Sequence, residues 1–141
     1  QWDPVEKWEM DWKKVLPHVT VFLPNEKELM ALTGTSDVEE AIAAVQPYLG
    51  NAMVVKMGSK GSLLVKKDGS RNFLASFLNK EVVDAIGAGD SFNSGFLYSY
   101  LKGYDLEKSC RIGNWVASKA IEGFGMEKFP TLKDLEDFFK I

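Results

Sequence analysis

Histidine and cysteine each occur once in this chain of 141 residues. The lone cysteine, Cys110, rules out an internal disulfide, and its apolar-periodic surroundings read as core. The lone histidine, His18, follows Pro17 just ahead of a strand pattern and reads as structural rather than catalytic. No apolar run approaches the roughly 18 residues of a membrane span, and no signal-peptide pattern is present. Excess positive charge is missing too: 17 Lys and Arg against 20 Asp and Glu leave a net charge of −3. That balance gives no electrostatic footprint for nucleic acid or an anionic membrane. There is no internal repeat and no low-complexity linker. Together these absences point to a cytoplasmic protein whose partners are neither nucleic acids nor membranes.

What is present is an ordinary globular composition, 45% hydrophobic, on a length that buries one sizeable core. A short amphipathic helix is expected around residues 5–15. Val19-Thr20-Val21-Phe22-Leu23 is a compact β-branched run, typical of a strand buried on both faces, and Pro24 ends it. Asn25 to Glu28 opens a helix that closes at Gly34. Ser36-Asp37-Val38-Glu39 fits a capping box for a second helix, with Val38, Ile42 and Val45 at helical spacing. Residues 52–56 and 62–66 read as two further strands, with Gly58 and Gly61 in the turn between them. Lys67-Asp68-Gly69-Ser70 signals a hairpin returning through residues 71–74 as an antiparallel strand. Glu81-Val82-Val83 reads as one more short strand. Three helical patterns finish the chain. They run from the Gly-rich stretch to Gly103, from Asp105 to about Ile121, and from Thr131 onward. Strands interleaved with helices argue for an α/β layered sheet, here a single α/β domain over residues 1–141.

The stretch with the most chemistry is Asp84-Ala85-Ile86-Gly87-Ala88-Gly89-Asp90, followed by Ser91-Phe92-Asn93-Ser94-Gly95. Phe92, Phe96 and Tyr100 recur at four-residue spacing and share one helical face. A Gly-rich turn therefore joins a strand to a helix, and the free N–H groups at that helix start form an anion site. Gly87 and Gly89 keep side chains out of the way of a bulky anion. Asp90 supplies an acid beside a phosphate site, the group needed to accept a proton from an attacking hydroxyl. The plain alternative is helix capping, because an Asp near a helix N-terminus is favoured by the dipole alone.

The whole string Asp84-x-x-Gly87-Ala88-Gly89-Asp90, with Gly95 five residues on, resembles the C-terminal signature of the ribokinase-like (PfkB) carbohydrate kinases. It departs from that signature at Ala85, where many members carry Thr or Ser. The departure removes a hydroxyl and leaves the anion hole and the base in place. The resemblance implies a three-layer α/β/α core with a largely parallel sheet, of which this chain is the C-terminal nucleotide-binding and catalytic portion. The start at Gln1, in what reads as an element already under way, fits a piece of a longer kinase, inactive when isolated. The implied reaction is transfer of the γ-phosphoryl group of ATP to a hydroxymethyl group of a sugar or sugar-like substrate. Asp90 is then the general base, and the backbone N–H groups of Gly87, Ala88 and Gly89 hold the developing charge.

The same resemblance gives roles to other residues. Asn25-x-x-Glu28 matches the family's Asn-x-x-Glu motif. Asn25 would face the phosphates, and Glu28 would help hold Mg²⁺ through water, as a cation that keeps much of its hydration shell allows. Capping alone also explains this pair, and the two readings are compatible. Lys56-Met57-Gly58-Ser59-Lys60-Gly61 resembles the family's Gly-x-x-Gly nucleotide segment, with Gly58 and Gly61 lining the nucleotide. It lacks the Walker A order, and a plain turn is the alternative. Asn114 stands where such kinases often place an Asn near the adenine or ribose, against the alternative of a surface Asn. Its neighbour Trp115 reads as core. Asp84 corresponds to a position that in some relatives binds a monovalent cation such as K⁺, with orientation of the turn as the other reading.

Two other function classes are open. Gly89-Asp90-Ser91 matches the nucleophile block of Gly-Asp-Ser hydrolases, but such an enzyme needs a base near the C-terminus and His18 is far upstream. The chain could also be a non-catalytic nucleotide- or phosphate-binding module. The sequence leaves open the phosphoryl acceptor and whether the protein forms a homo-oligomer.

Overall fold

A computed structural model of the chain describes residues 11–79 and 81–141. The described residues fall into two compact units. One holds the residues up to Gly58 with Leu63–Phe73, and the other holds Ser59–Ser62 with Leu74–Ile141. Most of the helix expected over residues 5–15 lies outside the described residues. Its described end is α1 (Trp12–Val15), followed by a 3-10 turn over Leu16–His18.

The first unit is built around a parallel pair. β1 (Val21–Phe22) and β2 (Ala52–Lys56) run side by side, Val21 opposite Ala52 and Phe22 opposite Met53. Parallel neighbours need a long crossover, and α2 (Glu26–Thr33) and α3 (Val38–Val45) supply it. Local chemistry sets both helix starts. At α2 the Asn25 side chain accepts the Glu28 N–H while the Glu28 carboxylate accepts the Asn25 N–H, both at 2.8 Å, and Gly34 closes the helix in a left-handed conformation. At α3 the cap is Asp37, whose carboxylate accepts the Glu40 N–H at 2.9 Å. The capping box expected at Ser36 does not form, and the cap is a single bond one residue later. Ile42 and Val45 of α3 bury with Leu29, Met53 and Val55. The first four residues of β2 are buried, whereas β1 is half-buried on both residues.

β3 (Gly61–Lys66) and β4 (Arg71–Ala75) complete a sheet of order β1-β2-β3-β4. The Lys66 N–H donates to Ser70 O and the Ser76 N–H to Lys60 O, so β3 and β4 run in opposite directions, as the hairpin signal requires. β3 likewise folds back on β2, with the Lys67 N–H donating to Asn51 O at 2.8 Å. The sheet is thus mixed, one parallel pair followed by an antiparallel meander, and not the largely parallel sheet that the family resemblance implies.

The second unit is mainly helical, with α4 (Ala88–Leu101), α5 (Leu106–Ala120) and α6 (Leu132–Phe139). Along α4 the rings of Phe92, Phe96 and Tyr100 stack in sequence, 6.1 Å between successive centroids. α4 and α5 approach closely because neither has a side chain at the crossing. A Cβ added at Gly95 would lie 2.7 Å from Val116 Cγ2, and one at Gly113 would lie 2.9 Å from Phe92 Cε2 and 3.0 Å from Phe92 O. α6 starts at a capping box between Thr131 and Asp134 and brings Leu135 against Ile112, Trp115 and Val116. Phe138 stacks on Trp115 with centroids 5.1 Å apart.

Residues 81–83 form no strand. The Val83 and Asp84 N–H groups both donate to Ile121 O, at 2.9 and 3.3 Å. Their partner is the end of α5 rather than a neighbouring strand, so a β-branched run misleads here.

Candidate active site

The segment before α4 is a chain of small turns. The Asp84 carboxylate accepts the Ile86 N–H at 2.9 Å, a local bond of the kind that Asp favours in turns. The Ala88 N–H then donates to Ala85 O at 3.2 Å. Gly87 is the residue at which the backbone swings into the helix, at φ 79 and ψ 2, a left-handed conformation that glycine adopts without penalty. The helical ladder begins with the Ser91 N–H donating to Gly87 O at 2.9 Å.

Those bonds decide which donors remain. The sequence reading places them on Gly87, Ala88 and Gly89, but the Ala88 N–H is engaged inside the turn. The N–H groups of Gly87, Gly89 and Asp90 have no acceptor among the described residues, as expected for the start and first turn of a helix. The positive end of the α4 dipole adds to them. Only the Ala88 N–H leaves the expected set, and Asp90 contributes both an N–H and an exposed carboxylate. Ser91 is different: it is buried and its hydroxyl donates to Gly87 O at 2.9 Å. It is a helix-stabilising hydroxyl, which takes away the nucleophile of the hydrolase reading.

In the first unit, Asn25 sits at the C-terminal end of β1, bridged in parallel to Lys56 at the end of β2, and the Lys56 N–H donates to Pro24 O at 2.8 Å. The start of α2 thus lies at the carboxyl edge of the parallel pair, the edge at which open α/β sheets bind ligands. Lys56 beside Asn25 is a feature that the sequence reading passed over. The signal for it is a basic residue ending a buried strand. Gly58 follows in a 3-10 turn over Gly58–Lys60, at φ 58 and with open space where a Cβ would stand.

Gly61 and Asn114 have structural work in the second unit. At Gly61, φ is 125 and a Cβ would overlap Leu74 O and lie 2.6 Å from Ser76 N, so the close approach of β4 needs glycine. Asn114 is buried in α5 and its amide donates to Leu74 O at 2.9 Å and to Ala75 O at 3.4 Å. It fixes the end of β4, and it is not the surface Asn of the alternative reading. Cys110 is buried as expected, and burial pushes its thiol up to about 12.

No group of three or more His, Cys, Asp or Glu that could hold a metal is found among the described residues. The residues do suit a metal held mainly by water and phosphate. One oxygen of Glu28 accepts the Asn25 N–H, which leaves the other to face a hydrated Mg²⁺. Asp84 likewise uses one oxygen on Ile86 and keeps one for a hard cation. No described helix is long and apolar enough to cross a membrane.

The first unit carries a capped helix at the carboxyl edge of its parallel pair, and the second carries a helix opened by a Gly-x-Gly turn and an acid. The chain belongs to the pfkB family of carbohydrate kinases, whose model matches residues 2–132. It is 41% identical over 115 residues to an uncharacterized sugar kinase of Archaeoglobus fulgidus, covering 82% of this chain and 45% of that protein. It is 34% identical over 115 residues to a cytidine kinase of Thermococcus kodakarensis, covering 80% and 41%. Among solved structures it resembles an Arabidopsis thaliana ribokinase complexed with ribose and ATP. The TM-score there is 0.80 at 28% identity, covering 92% of this chain and 43% of the other. The α/β, ribokinase-like fold class is therefore shown. The chain spans less than half the length of these relatives.

Proposed function

We propose that the protein to which this chain belongs transfers the γ-phosphoryl group of ATP to a hydroxymethyl group of a sugar, sugar acid or nucleoside. Asp90 is the general base. Its carboxylate takes the proton of the attacking hydroxyl as the oxygen bonds to the γ-phosphorus and the bond to the ADP leaving group breaks. The N–H groups of Gly87, Gly89 and Asp90, backed by the α4 dipole, receive the charge that builds on the transferred group. Gly87 and Ala88 shape the turn that aims them. Gly58 and Gly61 line the nucleotide, and Asn114 contributes by holding the end of β4. Asn25 faces the phosphates, and Glu28 holds Mg²⁺ through water. Bound Mg²⁺ supplies charge neutralisation on the phosphates. Asp84 is the proposed ligand for a monovalent cation such as K⁺.

The observation that carries this reading is the helix start itself: three N–H groups without an internal acceptor beside an exposed carboxylate at the same helix start. Membership of a carbohydrate-kinase family supports it. The test is Asp90→Asn in the intact protein. The expected result is a fall in kcat of about 10²- to 10⁴-fold, with ADP affinity unchanged or tighter because a negative charge near the phosphates is removed. Near-wild-type turnover would take the base away from Asp90. A binding-only reading applies to the 141-residue chain by itself, since it spans under half of its relatives. Isolated, it should transfer no phosphoryl group, and nucleotide titration shows whether it still binds.

A further inference from the structure

We propose that Asn79 is a positioning residue that holds the glycine turn in place through the end of α5, an inference that rests on the kinase reading above. The described residues between β4 and α4 form neither strand nor helix, so no ladder fixes the path into the turn. Packing stops at Phe77, whose ring meets Phe138 and Phe139; beyond it Leu78 is 100% exposed and Val82 58%. What remains is polar. The Asn79 amide donates to Ser118 O at 2.6 Å and to Glu122 Oε1 at 2.9 Å. Four residues later Val83 and Asp84 donate to Ile121 O. Ser118, Ile121 and Glu122 lie at the C-terminal end of α5, where helix carbonyls lack intrahelical partners.

The amide orientation is fixed by its surroundings, because both partners are acceptors and an oxygen in its place would face two of them. The Glu122 acceptor is also charged. Lys119 Nζ lies 3.1 Å from its carboxylate, and the Lys119 and Asn79 hydrogen bonds hold that carboxyl below its usual range. A charge-assisted bond of this kind is stronger than a neutral one. Asn79 therefore anchors the segment five residues before Asp84, and Ile121 anchors it again at Asp84. The direction of the Gly89 and Asp90 N–H groups depends on both anchors.

The test compares Asn79→Ala and Asn79→Asp with wild type in the intact protein. Three readouts are needed: kcat at saturating ATP and acceptor, the Kd of ADP by calorimetry, and amide hydrogen exchange resolved to residues 82–91 and to α6. Asn79→Ala should lower kcat about 10-fold or more, since small misplacements cost up to ~100-fold. The Kd of ADP should stay within about threefold on the same argument, because the anchor acts on transfer geometry rather than on uniform binding. Exchange should rise in residues 82–91 and not in α6. Asn79→Asp should be worse on all these counts, because its carboxylate would face Ser118 O and the Glu122 carboxylate. Unchanged kcat with unchanged exchange in Asn79→Ala would overturn the proposal. So would exchange rising evenly through α4, α5 and α6, which would make Asn79 a general stability residue. If the intact wild-type protein transfers no phosphoryl group to any alcohol, the kinase reading fails, and the exchange pattern alone then upholds or overturns the anchor.

Discussion

Replacing Gly87 by alanine tests the turn from which the candidate site hangs. Gly87 sits at φ 79 and ψ 2, with nothing within 4 Å of where a Cβ would stand. The penalty is therefore conformational and not steric. A left-handed L-residue costs roughly 1–2 kcal/mol. Restricting the unfolded chain returns about 0.4–1 kcal/mol of that. The net loss of stability is about 1 kcal/mol, or about 2–4 °C in Tm for a protein of moderate size. Gly87→Asn should lose less, because Asn tolerates the left-handed region. Gly61→Ala provides the contrast, since its Cβ would overlap Leu74 O and crowd Ser76 N at 2.6 Å. Backbone atoms cannot swing aside, so that variant should lose several times more. In the kinase assay Gly87→Ala should lower kcat about 10²-fold, the scale of one lost anion-hole donor. The measurements are thermal melts and phosphoryl transfer on the three variants. A Gly87→Ala protein as stable as wild type, or as damaged as Gly61→Ala, would refute the reasoning.

Ser91→Ala should leave phosphoryl transfer mostly intact, because its hydroxyl is held by Gly87 O, and steady-state kinetics will show a loss if Ser91 is a nucleophile instead. Cys110 should resist thiol reagents at neutral pH until the protein unfolds. Burial raises its thiol to about 12, so the fold favours the protonated form. The stability that this contributes is complete below pH 9 and is lost as pH climbs toward 12. Cys110→Ala should flatten that alkaline decline, as read from the difference between the two proteins in urea titrations from pH 8 upward.

What could be read from the sequence follows how local the cause is. The Asn25–Glu28 box, the helix start at Thr131 and the hairpin at residues 67–70 depend on atoms a few residues apart, and each forms as expected. At α3 the choice between Ser36 and Asp37 depends on where the backbone turns helical, which side-chain type alone does not fix. Val82 and Val83 are β-branched and look like a strand, yet the acceptor for Val83 is a carbonyl 38 positions on, at Ile121. Asn114 looked ambiguous for the same reason. A polar residue within an apolar helix must find a partner, but only the fold reveals that the partner is Leu74 O. The Gly-x-Gly turn opens a helix as its residues suggest, while the Ala88 N–H is lost as a free donor because it closes a turn on Ala85.

The crossing of α4 and α5 has a consequence for sequence drift in this lineage. The obstruction at Gly95 is nearest to the Val116 side chain, at 2.7 Å, with Ile112 O farther off at 3.2 Å. Val116→Ala removes that nearest atom and leaves its Cβ at 3.0 Å, so Gly95→Ala and Val116→Ala should compensate each other in part and covary among homologues. At Gly113 the obstruction includes backbone, Phe92 O at 3.0 Å, as well as the Phe92 ring. No single replacement at residue 92 relieves it. One side of the crossing can therefore change in pairs, while the other stays glycine for as long as the helices keep this spacing.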